Sequence, residues 1–157
     1  MAEPRGPREV FLDLVNSIAD GQVGHIPDLY ADEIDVCHPF DPTGEPPLRS
    51  RAEMRARIPE GAVMPGHRAR PEIRGIIETA DPEVIVAEFA YQKTHAVTGE
   101  PVSQPAIFVM RVRDGKIVSS RDYHDHLQQA RVRGQLGDLA ARITAADEAA
   151  ARPASRG

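Results

Sequence analysis

Apolar residues recur with two different periods along this chain, and the change of period divides it. Over residues 8–19, Val10, Phe11, Leu14, Val15 and Ile18 repeat at helical spacing and Asp20-Gly21 follows. That pattern predicts an amphipathic first helix closed by its glycine. Residues 25–31 predict a second, short helix with Pro27 in its first turn, and residues 34–40 a strand broken at Pro39. Ser50 with Glu53 after it is a capping-box pattern, so a third helix starts there and ends before Pro59.

Residues 60–67 are rich in glycine and proline and predict an irregular linker. Beyond it the period becomes that of strands, over residues 72–79, 83–94, 102–113 and 116–123. The separators are Asp81-Pro82, Thr98-Gly99-Glu100 and Asp114-Gly115, short enough for an antiparallel meander. Helices first and strands afterwards is the α+β pattern. Residues 127–146 return to helical spacing, with Leu136, Leu139, Ala140 and Ile143, although Gly134 and Gly137 weaken it. The expectation is one domain over residues 1–144 and a flexible tail over 145–157.

Composition narrows the function classes. With 157 residues, 41% of them hydrophobic, the chain fits a single core. A net charge of −5 and the lack of a basic run argue against nucleic acid or anionic lipid as partners. No apolar stretch reaches the roughly 20 residues a spanning helix needs, and the start has no apolar export region, so a cytoplasmic protein is expected. The single cysteine, Cys37, rules out an intrachain disulfide and a thiolate metal cluster, and beside apolar neighbours it reads as buried.

Two polar clusters carry the candidate chemistry. One is Arg121-Asp122-Tyr123-His124-Asp125 at the end of the last strand, and the other is Asp35-Val-Cys-His38-Pro-Phe40-Asp41. Alternation puts Val118, Ser120 and Asp122 on one strand face and Ile117, Ser119, Arg121 and Tyr123 on the other. On the preceding strand Gln104, Ala106, Phe108 and Met110 form the better pocket lining, and Gln104 offers a carbonyl partner. On the strand before that, Val84, Val86, Glu88, Ala90 and Gln92 share a face, which makes Glu88 a pocket candidate. His124, Asp125 and His126 resemble a metal cluster only on paper, because alternation separates them and no remote ligand is evident. No metal and no cofactor are expected.

The blocks LYADEIDVCHPFDPTGEPP and VRDGKIVSSRDYHDHL resemble the SnoaL-like polyketide cyclase branch of the nuclear transport factor 2-like superfamily. The resemblance covers residues 10–127. It implies a cone-shaped, strongly bent, mostly antiparallel sheet with three N-terminal helices around an apolar cavity, plus a C-terminal helix. It also implies that Asp122 turns into that cavity as a general acid or base. His38 stands where steroid isomerases of the superfamily carry the aspartate of an Asp-Pro pair, so an imidazole would replace that base, and histidine exchanges protons near neutrality with little tuning. Leu14 and Phe108 fall where those isomerases place oxyanion donors; neither can donate, which disfavours a 3-oxosteroid isomerase.

The expected catalytic residues are therefore Asp122 and His38. The expected substrate-binding residues are Glu88, Gln104, Phe108, Met110, Ser120, Leu14 and Phe40. The expected activity is that of a cofactor-independent cyclase or isomerase acting on a polyketide-like or other hydrophobic oxygenated intermediate of secondary metabolism, such as antibiotic biosynthesis. A non-catalytic small-molecule binder using the same cavity and an epoxide hydrolase-like enzyme are the alternatives. A homodimer is expected too, because Ile85, Phe89 and Tyr91 on one strand and Ile107 and Val109 on the next would otherwise face water.

Overall fold

The computed structural model describes residues 4–64 and 68–152. Helix α1, Pro7–Asp20, opens with proline at its first position, and the Gly6 amide donates to Glu9 Oε2 at 3.0 Å. Its apolar stripe, Val10, Phe11, Leu14 and Val15, is almost wholly removed from water. A 3₁₀ turn follows over Ile26–Leu29, then β1 (Tyr30–Cys37), β2 (Leu48–Ser50) and α2 (Arg51–Arg57). The Ser50 side chain caps α2 by accepting from the Glu53 amide, as its sequence pattern predicts. Strands β3 (Arg70–Glu78), β4 (Val84–Thr94), β5 (Pro101–Arg113) and β6 (Lys116–His124) form the meander, and α3 (His126–Val132) and α4 (Leu136–Ala151) close the chain.

All six strands belong to one sheet in the order β2-β1-β6-β5-β4-β3. Every neighbouring pair is antiparallel except β1 and β6, which run parallel. The β5–β6 hairpin turns at Asp114-Gly115, where both residues take positive φ (52° and 73°), the pairing that matches the twist of flanking strands. Curled inward, the sheet holds α1 against its inner face. Phe11 meets Phe89 and Phe108 edge-on, with ring centroids 5.3 and 6.3 Å away, and Phe89 meets Phe108 at 4.9 Å.

Several expectations are corrected. Tyr30 and Ala31 belong to β1, not to a helix, because Pro27 sits in a tight 3₁₀ turn that the strand follows at once. Strand β2, three residues long, has no counterpart in the sequence pattern. The C-terminal helix is two helices: α3 stops at Gly134, which has φ +69° and leaves no room for a Cβ beside Val97. Helix α4 then continues to Ala151, past the expected boundary at 144. Residues 65–67 of the expected linker and 153–157 of the expected tail lie outside the described residues.

The largest correction concerns β4. Ile85, Ala87, Phe89 and Tyr91 are the buried row, paired across to Met110, Phe108, Ala106 and Gln104 of β5. Val86 and Glu88 face outward beside Val109 and Ile107. The pocket face expected for this strand is thus its outer face, whereas Gln104, Ala106, Phe108 and Met110 of β5 do face inward. On β6 a register shift turns Ile117 inward with Val112, although simple alternation puts it outside.

Candidate functional site

Parallel pairing of β1 with β6 brings the two sequence clusters together. Cys37 is in register with Arg121, so His38, the next residue, arrives level with Asp122. His38 Nε2 lies 3.6 Å from Asp122 Oδ2, an ion-pair separation. The Asp122 side chain is only 8% exposed, whereas that of His38 is 40% exposed. Ser120, fully buried, donates its hydroxyl hydrogen bond to Asp122 Oδ1 and fixes the carboxylate's orientation.

His38 and Asp122 line a cavity of about 420 Å³. Its apolar wall includes Leu14, Ile18, Val36, Met54 and Phe108, and its polar groups include Tyr30, Tyr91, Gln104, His124 and His126. The contact with Asp122 holds the His38 pKa above its ordinary value, outweighing burial. Burial has the opposite effect on His124, which is pushed down to about 4 and is therefore neutral at physiological pH. His126 is lowered for the same reason. Burial followed by the charge of Asp122 raises Tyr30 and Tyr91, so both phenols keep their protons.

Of the expected binding residues, Leu14, Gln104 and Phe108 line this cavity with Asp122 and His38. Met110 and Ser120 are fully buried but lie off the cavity wall. Glu88 and Phe40 are elsewhere. Both line a groove on the outer surface, where Phe40 is 68% exposed and stacks edge-on against Tyr123 with centroids 5.2 Å apart. Glu88 is displaced by the reversed face of β4, and Phe40 because β1 ends at Cys37 and the chain turns away through a loop.

Polar residues of the cavity wall that the expected site lacks include Tyr30, Tyr91, Lys93, His124, His126 and Arg133. His124 was legible, since it lies two positions beyond Asp122 on the same face. Its ring meets those of His38 and Phe108 edge-on, at 5.3 and 5.2 Å. Among the described residues, His38, Asp122 and His124 offer ligand atoms all within 4.8 Å of one another, a set that could hold a metal ion. The run 124–126 does not reveal this set on its own, because His124's partners are Asp122 and His38, which follows β1. Asp125 is excluded from it and instead caps α3, accepting from the Gln128 amide at 2.8 Å.

Known proteins share this architecture. A proposed isomerase from Bacillus subtilis superposes with a TM-score of 0.66 at 22% identity, covering 82% of this chain and 92% of that one. IdmH, a proposed polyketide cyclase from Streptomyces antibioticus, gives a TM-score of 0.57 at 20% identity, covering 85% and 99%. At these identities the likeness is one of fold. In sequence, an uncharacterised PhzA/B-like protein of Pseudomonas aeruginosa is 36% identical over 66 residues, 42% of this chain and 46% of that relative. The chain thus spans less than half the length of that curated relative. The profile of the SnoaL-like domain matches residues 11–120, well over half of the 157 residues, and the chain therefore belongs to the SnoaL-like domain family.

Proposed function

We propose that this protein is a cofactor-independent cyclase or isomerase that moves protons on a hydrophobic, oxygenated biosynthetic intermediate of polyketide-like character. The observation that carries this reading is the pairing of a nearly buried carboxylate, Asp122, with a half-exposed imidazole, His38, at 3.6 Å in an apolar cavity. In the proposed step the Asp122 carboxylate takes a proton from carbon next to a carbonyl, and protonated His38 gives one to the oxygen that gains charge. The product of these two transfers is an enol, and the bond that then forms or migrates is set by how the apolar cavity folds it. Ser120 keeps the Asp122 oxygen aligned. The names carried by IdmH and by the Bacillus subtilis protein agree with this class of reaction. We place this work in the cytoplasm and assign it to a homodimer.

The test does not need the natural substrate. A buried base beside an acid should speed exchange of the α-protons of 2-tetralone in D₂O, followed by mass spectrometry. Asp122→Asn is expected to slow that exchange by about 10²- to 10⁴-fold with its fold intact by circular dichroism. Prior dialysis against EDTA is expected to leave the rate unchanged. Binding of 2-tetralone with exchange at the buffer rate would make the protein a binding module, and loss of exchange in EDTA restored by one divalent ion would move the chemistry to a metal at His38, Asp122 and His124.

A further inference from the structure

One end of the cavity holds hydrogen-bond donors and positive charge without matching acceptors. Tyr91 and Gln104 face each other across β4 and β5, and each is more than nine-tenths buried. Among the described residues the Tyr91 hydroxyl and Gln104 Nε2 have no hydrogen-bond partner, and the same is true of His126 Nε2. Buried polar atoms without partners are rare and costly, so two neighbours on one cavity wall point to a group that is bound there.

Lys93 lies two positions beyond Tyr91 on the same strand face, its Nζ 5.4 Å from the Tyr91 ring centre. Arg133, at the end of α3, lines the cavity beside it. Neither cation has an ion-pair partner among the described residues. Arg57, also on the cavity wall, differs in being paired to Glu45 at 3.2 Å. Asp138 shares a neighbouring groove with Arg133 and makes no ion pair with it. Burial and the charge of Arg133 push Lys93 down to about 8, which still leaves it mostly protonated at neutral pH. Two like charges held together by the fold, with buried donors next to them, are relieved by an anion.

We infer that the cavity takes a substrate bearing a carboxylate, bound by Lys93 and Arg133 with Tyr91 and Gln104 donating to its oxygens. This rests on the proposed function for the reacting end and adds the substrate's charge and polarity. Asp122 lies level with Phe108, two inward-facing positions along β5 from Gln104. Its negative charge repels a carboxylate, so the acid group is held at the cationic end and the carbonyl portion is directed towards Asp122 and His38. The substrate then has one favoured direction in the cavity.

Calorimetric titration with 2-naphthoate and its neutral analogue 2-naphthamide tests the inference. The carboxylate is expected to bind at least 10-fold more tightly than the amide at low salt. Lys93→Met and Arg133→Met should each weaken naphthoate by about 5- to 30-fold while leaving naphthamide within twofold. Arg133 is exposed, so its variant carries little risk to folding. Equal affinity for the two probes, equal loss of both in the variants, or no naphthoate binding at millimolar concentration would overturn the inference. These outcomes are separate from proton exchange: a carboxylate preference without exchange would leave the anion site standing and sink the acid–base reading alone.

Discussion

His38 and Asp122 divide the labour of proton transfer because their surroundings differ. Asp122 is shielded on the inner sheet face and tied to Ser120, while His38 stands partly in solvent and can exchange its proton with water. The contact with Asp122 favours the charged imidazolium, so its pKa is raised. If the imidazolium is the acid, activity depends on the protonated form, and log(kcat/KM) should fall as pH rises through a pKa above 6.5. His124 is not the source of such a limb, since it is neutral down to about 4. His38→Gln is expected to lower the rate and flatten the profile between pH 6 and 9, measured with the tetralone exchange. A rate that climbs with pH over that range would instead make neutral His38 the base.

At the scale of elements, β4 and the β1–β6 pairing decide what reaches the cavity. Glu88 points outward beside Ile107, so Glu88→Ala should leave naphthoate affinity and proton exchange within twofold of the parent. Phe89, one residue on and fully buried against Phe11 and Phe108, should cost about 3–5 kcal/mol when cut to alanine, read from urea unfolding midpoints. The opposite pair of results would restore the face that alternation alone suggested. Alternation cannot choose the inner face of β4, because the strand is apolar on both sides, Val84 and Val86 on one and Ile85, Ala87, Phe89 and Tyr91 on the other, and its lone carboxylate, Glu88, belongs to the outer row. Bulk was the better guide, since the larger aromatic side chains fill the core. By contrast, β5 was legible: Arg111 and Arg113 mark its outer row, and both pair with Glu83 there. Asp122, His38 and Gln104 could be named from local pattern and family resemblance. Tyr30 and Tyr91 could not, because their place in the cavity depends on where β1 begins and on the register across β4 and β5.

For the whole molecule, the question is what covers the outer face of the sheet. Ile85, Phe89 and Tyr91, which the sequence pattern places on that face, are in the core and contribute nothing to it. An apolar strip still remains: Ile77, Val86, Val109 and Ile107 run across β3, β4 and β5, and Phe40, Tyr123 and Leu127 line the groove beside Ile107. Ile77, Leu127 and Ile107 are 64%, 60% and 41% exposed. The C-terminal helix does not shield this strip, because α4 packs on α3 and has only Leu139 buried. An exposed apolar strip of this kind suits a twofold partner that presents the same strip. We therefore expect a dimer by sedimentation at micromolar concentration. Ile107→Lys places a charge in the middle of the strip without touching the cavity, so it should give a monomer that binds naphthoate as the parent does. A parent that sediments as a monomer, or a lysine variant that stays dimeric, would show that this face is not the interface and leave the groove beside Phe40 open to solvent.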